Sequence, residues 1–410
     1  MDDKIREALK SIIQPLRTVV DDGAFQDLES FGNMLDGVKI VGLGEGSHGT
    51  REHFQLKHRL IRYLVEKKGF RTFAIEAATD ACLDINDYVL YGKGDKHKAL
   101  AGQSYWVWDT EEVLAMIDWM REHNLNCERG QECSFVGFDM KPVKDACRKL
   151  MEYLSPLGLA DYPKIEGILK NYANVAWPIP AGTQSDDIIW LMGYLYLREI
   201  ELVEKTCRVA YDNALFAGRI IYQYVECRDD DTNGKRDLHM AENISLLVNS
   251  LPPDEKIILW AHNGHIACGY EWKNIGQWLR DRYGSRYFAL GFMIGGGKFQ
   301  SRFIDRQARK AGPLMEFDVP VIDGNLWEAD VATVYGGDFY FNLRDSINNN
   351  EYIRKWAAQN KPFVMLDEGY NPNDKREDFE VDCSLSESYD AIVYTEKTTR
   401  SRPTPTGMRD

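Results

Sequence analysis

The segment KIVGLGEGSHGTREHFQLKHRLIRYLVEKKG, residues 39–69, sets the fold. It opens with a short apolar run (39–45), turns through Gly42, Gly44, Gly46 and Gly49, and then repeats Phe54, Leu60, Ile61, Leu64 and Val65. Spacings of three and four residues mark one face of a helix, so the pattern predicts strand, tight turn and a helix from Arg51 to about Lys68. Ser47 or Thr50 can cap that helix, and Gly69 supplies the residue that ends it.

The same alternation recurs outward from this unit. TFAIEA (72–77), SFVGFD (134–139), KIILWAH (256–262), RYFALGFMIGG (286–296) and PFVMLD (362–367) read as further strands. Several are continuously apolar, as strands covered on both faces are. A second helix is expected near Thr110 to His123, with Val113, Leu114, Ile117 and Met120 on one face. More than 100 residues without a strand pattern separate the third and fourth strands. Within them, 185–227 reads as long helix, capped by Ser185 and broken near Gly218, its abundant aromatics serving as core. The expected architecture is therefore α/β, a three-layer α/β/α arrangement with a mainly parallel sheet and a large helical insertion. Residues 1–140 and 251–397 form the core, 141–250 the insertion and one wall of a cleft, and 398–410 a flexible tail. The DDD at 229–231 and DKREDFEVD at 374–382 read as solvated turns.

Composition narrows the function. With 410 residues, 12% aromatic, the chain can bury a core without staples, and disorder is excluded. A net charge of −14 argues against binding nucleic acid, whose phosphates demand a basic surface. The start, MDDKIREALKSIIQPLR, lacks the basic and apolar regions of a secretory signal, and no apolar run approaches the ~20 residues that span a bilayer. The expectation is a cytoplasmic protein, free of membrane, acting on a small molecule; oligomeric state is left open. Eight cysteines (82, 127, 133, 147, 207, 227, 268, 383) form no CxxC pair and read as small buried hydrophobes.

Four polar sets fall at the carboxyl ends of the expected strands: Glu45 with His48, Glu76, Asp139, and His262 with His265. Open α/β sheets bind ligands outside those ends, so one cleft can collect all four. His48 titrates near neutrality and gains basicity from a neighbouring acid, which suits a general base. Glu76 ends an apolar strand and must be paired, with Arg51 or Arg71, or functional. His262 and His265 could bind a metal, protonate a leaving group or stabilise an oxyanion. The other histidines read as surface or structural. GxSxG and HExxH are absent, as are the glycine signatures of nucleotide loops. What remains is water activated by imidazole and carboxylate, with or without a metal.

The stretch GLGEGSHGTREHFQLKHRLIRYLVEKKGFRTFAIEA with LDINDYVLYGKGD, YWVWDTEEVLAMIDWMREHN, FVGFDM, DLHMAENI and LWAHNGHI, in that order, resembles the erythromycin esterase family over roughly residues 36–300. The resemblance implies hydrolysis of a macrolide lactone ester by activated water. His48 would be the base, oriented with its water by Glu45 and Glu76. His262 and His265 would line the cleft and polarise the carbonyl or assist the leaving alcohol. Arg51, Asp139, Arg236 and Asp237 would support substrate or site. It implies a three-layer α/β/α fold with a helical addition; family members differ on metal requirement, so it carries over no cofactor, and a divalent metal stays open. Two other readings stand beside it: a divalent metal held by Glu45, Glu76, His262 and His265, and a non-catalytic binder of a bulky apolar ligand such as haem.

Overall fold

The computed structural model describes residues 1–103, 105–175, 185–227, 234–305, 308 and 310–407; the acidic triplet at 229–231 lies outside them. The strands are β1 (Ile13–Pro15), β2 (Ile40–Leu43), β3 (Phe70–Ala78), β4 (Ser134–Asp139), β5 (Lys256–Trp260), β6 (Tyr287–Ile294) and β7 (Lys298–Asp305). They continue with β8 (Lys310–Asp318), β9 (Phe339–Asn342), β10 (Lys361–Val364), β11 (Gly369–Tyr370), β12 (Glu380–Cys383) and β13 (Ala391–Thr395). Eight form one sheet in the order β1-β9-β13-β6-β2-β5-β3-β4. From β13 to β4 every pairing is parallel, while β9 runs antiparallel to both β1 and β13.

Strand alternation builds the three layers. Ile257 and Leu259 of β5 pack with Ile40 and Ala74 in one core, whereas Ile258 and Trp260 pack with Val41, Leu43, Phe73 and Ile75 in the other. Helices α1 (Arg51–Lys68) and α2 (Glu111–Asn126) cover the Trp260 face. The opposite face is covered by α3 (Lys144–Leu154), α4 (Tyr162–Ala173), α5 (Asp186–Leu197), α6 (Glu199–Lys205), α7 (Arg208–Glu226) and α8 (Gly234–Ser250). Helix α1 has the expected bounds: Thr50 is its N-cap, although its side chain makes no capping bond, and Gly69 at φ 74° ends it. Thr110 caps α2 by accepting from the Val113 N–H. Among the described residues no helix is long and apolar enough to cross a membrane.

Four expectations change. The segment 185–227 breaks at Arg198 and at Thr206–Cys207, while Gly218 lies inside α7. There a Cβ would sit only 3.0 Å from Met192 Sδ and 3.1 Å from Leu195, so that glycine serves helix packing and not a break. PFVMLD contributes β10, but outside the main sheet, in a ribbon with β12. Pro362 has no N–H for a second ladder, and the strand beside β6 is instead AIVYT of β13. The 374–382 stretch contains the start of β12 and lines a cavity, so it is more than a solvated turn. Finally, 398–407 is not a loose tail. It bridges Gly297, Thr50 and Thr110, and buries Thr398, Ser401 and Thr404. Polar composition concealed this because several of its hydroxyls find partners, among them Thr404 Oγ1 donating to Asp109.

Candidate active site

The chain leaves β2, passes to β3 and β4, and returns through β5 between β2 and β3. This interleaving makes β2, β5, β3 and β4 consecutive neighbours, so their carboxyl ends open on one crevice. The turn after β2 is clamped by the protein itself. A Cβ on Gly44 would lie 2.1 Å from Asn263 Oδ1, and one on Gly49 would lie 1.9 Å from the Gln300 carbonyl oxygen. Asn263 in turn exchanges two hydrogen bonds with the Phe292 backbone, at 3.0 and 2.7 Å. The glycines thus admit neighbouring chain at distances that any Cβ would forbid.

Glu45 is fully buried on this turn. Its Oε1 accepts from His48 Nδ1 at 2.7 Å; its Oε2 accepts from Lys57 Nζ at 2.5 Å and Trp260 Nε1 at 2.8 Å. Burial opposes its charge, but Lys57 and His48 outweigh it and hold the carboxyl at about 2. An ionised carboxylate only accepts, so Nδ1 of His48 carries the proton and, in the neutral ring, Nε2 keeps its lone pair. That Nε2 lies 3.6 Å from Asp367 Oδ1, and the ring sits 4.8 Å from that of His262. Burial lowers the His48 pKa, yet the bond and charge of Glu45 together with the charges of Glu76 and Asp367 outweigh it, leaving it above the ordinary imidazole value.

A second group lies alongside. Arg236, near the start of α8, donates through Nη2 to Glu76 Oε1 (2.8 Å) and Asp139 Oδ2 (2.7 Å). His265 Nδ1 meets Asp237 Oδ1 at 2.5 Å, and its Nε2 lies 3.2 Å from Glu76 Oε1. Burial disfavours the imidazolium, but Asp237 and Glu76 push His265 up to about 10. Glu76 stays well below its usual value despite burial, held there chiefly by His265 and Arg236. Its Oε2 also accepts from the His262 backbone N–H at 3.2 Å.

His262 differs from both neighbours. It caps the short helix α9 (Asn263–Ile266), its Nδ1 accepting from the Gly264 N–H at 3.3 Å. The proton therefore resides on Nε2, which is buried without a partner. Burial and the adjacent His48 push its pKa down to about 4, so the ring is neutral. His262, His265, Asp237, Trp272, Met365 and Asp367 are among the walls of a cavity of about 550 Å3. His48 adjoins two of these walls, His262 and Asp367.

A sequence model of the erythromycin esterase family matches residues 65–398. The chain belongs to the erythromycin esterase family. Family membership makes it a hydrolase, and the match reaches well past residue 300, where motif reading found little support. Erythromycin esterase type II of Escherichia coli is 22% identical over 328 residues, covering 70% of this chain and 76% of that protein. A Bacillus cereus protein of solved structure superposes with a TM-score of 0.80 at 25% identity, covering 98% of this chain and 99% of that one. An erythromycin esterase mutant, EreC in its open conformation, superposes at 0.71 with 19% identity, covering 95% and 98%, a likeness of fold.

Of the residues expected at an erythromycin esterase site, Glu45, His48, Glu76, Asp139, Arg236, Asp237, His262 and His265 converge. Arg51 does not: it pairs with Glu112 at 3.2 Å, and Glu76 takes Arg236 as its cation. Arg71 also turns elsewhere, to Gln131 and the Val65 carbonyl. Of the four alternative metal ligands Glu76 and His265 touch, while Glu45 is taken by Lys57, Trp260 and His48 and Glu76 also by Arg236. Among the described residues no group of three His, Cys, Asp or Glu side chains is arranged to hold a metal ion. Two residues were missed. Lys57 lies on the apolar stripe Phe54, Lys57, Ile61, Leu64 of α1, where a cation needs a buried partner, and that was its signal. Asp367 ends an apolar run as Asp139 does, and the same rule could have found it.

Proposed function

We propose that this erythromycin esterase family member cleaves a carboxylic ester of the macrolide-lactone kind, with His48 activating water. The observation that carries the reading is the arrangement of Glu45 on Nδ1 of His48, with the lone pair of Nε2 beside Asp367 and the neutral His262. A water that bonds to both His48 Nε2 and Asp367 from the cavity side loses a proton to the imidazole as it attacks the ester carbonyl. The oxyanion that forms accepts a hydrogen bond from the unpartnered Nε2–H of His262. Collapse of the tetrahedral species expels the alcohol oxygen, which takes back the proton from His48. Arg236, Asp237 and His265 fix Glu76, and Glu76 fixes the backbone of His262. All of this uses protein groups on a small-molecule substrate, with no cofactor and in the cytoplasm.

The test is mass spectrometry of erythromycin incubated with the purified protein. Formation of the water adduct, its persistence after exhaustive chelation and its loss in His48→Ala are expected. Absence of ester cleavage with wild-type protein across a macrolide and simple ester panel would overturn the reading. Activity abolished by chelation and restored by zinc or manganese would move the reaction to a metal.

A further inference from the structure

The helical layer carries an apolar stripe that faces outward. Along α5 its positions recur at helical spacing, Asp186, Ile189, Gly193 and Leu197, with Tyr196 beside Leu197 and Ile200 following on α6. Ile189 is 53% exposed, Tyr196 56%, Ile200 77% and Leu197 90%. Single bared apolar side chains are ordinary, but four on one face within residues 189–200 make a patch of the kind that marks an interaction site. Gly193 stands at its middle. Glycine inside a helix is less stable than alanine, and here a Cβ would meet nothing within 4 Å among the described residues, in contrast to Gly218, against which Met192 and Leu195 press. The packing of the chain on itself gives no reason for glycine at 193, whereas a second helix crossing the stripe would use the close approach that glycine permits. Beside it runs a groove of about 880 Å3, walled by Trp190, Tyr194, Leu197 and Ile200.

We propose that this face joins two copies of the chain, α5 crossing the α5 of the second copy antiparallel, on a two-fold axis at Gly193. The sequence is self-complementary about that residue. Equal offsets before and after it set Ile189 against Leu197 of the second copy, and Trp190 against Tyr196 of the second copy. The charges match as well. Asp186 and Asp187 lie in the first turn of α5, and antiparallel crossing brings them toward the opposite end of the second α5, where Arg198 stands. Arg198 meets only surface acids within its own chain, Glu201 at 2.8 Å and Asp161 at 3.5 Å, and can take a further carboxylate. Opposed helix dipoles favour the same orientation. Asp186, Asp187, Glu201 and Glu204 around the stripe would repel an anionic lipid surface, so a second copy fits where a membrane does not. None of the residues around His48 and His265 takes part, and the inference stands independently of the hydrolytic reading.

Sedimentation velocity of the full-length protein over about a hundredfold range of concentration tests this, and a dimer that dissociates on dilution is expected. Leu197→Asp should weaken association by about tenfold or more while the circular dichroism spectrum stays that of the wild type, since the side chain is exposed within one chain. Arg198→Glu should weaken it by about tenfold, and adding Asp187→Arg to that variant should restore it, because the charges are then exchanged across the axis. Gly193→Cys in a Cys207→Ser background should give a disulfide-linked dimer under mild oxidation, since residue 193 meets its own copy on the axis. A chain that stays monomeric at every concentration overturns the proposal, as does a dimer that Leu197→Asp leaves intact. A dimer that Leu197→Asp breaks, but that shows neither charge rescue nor the 193–193 disulfide, overturns the antiparallel crossing.

Discussion

Glu45–His48 and Asp237–His265 are the same chemical pair built twice, a few ångströms from one crevice, and they behave differently. Each imidazole gives Nδ1 to a buried carboxylate. His48 has its Nε2 left over, because Lys57 and Trp260 occupy the other oxygen of Glu45 and no second acid binds the ring closely. His265 lies between two carboxylates and is pushed up to about 10, a cation at neutral pH with both nitrogens facing acids. A histidine with an acid in hydrogen-bond reach of one nitrogen is a base in waiting, while one with acids in reach of both is a brace. Residue type does not distinguish them; the count of partners does.

His48→Ala makes the sharpest break in that comparison. Loss of a positioned base is expected to cut kcat by roughly 100- to 10,000-fold. The melting temperature should move little, since Glu45 keeps Lys57 and Trp260. A variant retaining near-normal turnover would reverse the roles assigned to the two histidines.

Asp237→Asn tests the brace. His265 has a folded pKa raised above the ordinary 6.5, so its stabilisation is complete below that value and disappears as pH rises through about 10. The variant should lose on the order of 3 kcal/mol of unfolding free energy at pH 6, and much less above pH 10. Urea unfolding across that range checks it; a pH-independent deficit would show that the pair is only packing.

Glu328 supplies a third case, a buried carboxyl with no cation. Its Oε1 accepts from the Val364 N–H at 3.0 Å, its Oε2 has no partner, and burial pushes it up to about 8. A raised acid binds its proton more tightly when folded, so stability declines as pH climbs from about 4.5 to about 8 and is level beyond. Glu328→Gln should be neutral at pH 4 and stabilise by about 1–2 kcal/mol at pH 8.5, read from thermal unfolding at both values.

The smallest effect concerns Lys57→Met. Removing the cation that shares Glu45 leaves more of its field to His48, so the acidic limb of the kcat/KM profile should move to higher pH by roughly half a unit. A shift to lower pH would mean that Lys57 keeps Glu45 ionised and that its loss protonates the acid instead.

Much of the site was legible because strand-end residues follow one rule. Glu45, Glu76, Asp139, His262 and His265 each sit at or just beyond the carboxyl end of an apolar run, and a parallel sheet gathers such ends. Asp367 obeyed the same rule but was obscured by the assignment of PFVMLD to the main sheet, when its strand pairs only with β12. AIVYT went unread although five apolar or β-branched residues in a row are a strand signal. Arg51 was drawn to the site by nearness in the chain, yet on α1 its side chain turns toward Glu112 of α2. The 374–382 segment looked like solvent-facing charge, and nothing in its composition tells an acidic turn from an acidic cavity wall.

The apolar runs, their alternation with helices and the polar groups at their ends were written in the chain, since periodicity and the cost of burying charge act locally. Which cation meets which carboxylate was not. Arg236 reaches Glu76 across 160 positions, Trp260 reaches Glu45 across 215, and the count of partners on each imidazole follows from those meetings. Only packing brings such distant groups within a few ångströms, and in a buried, low-dielectric site that proximity decides whether an imidazole accepts a proton or keeps one.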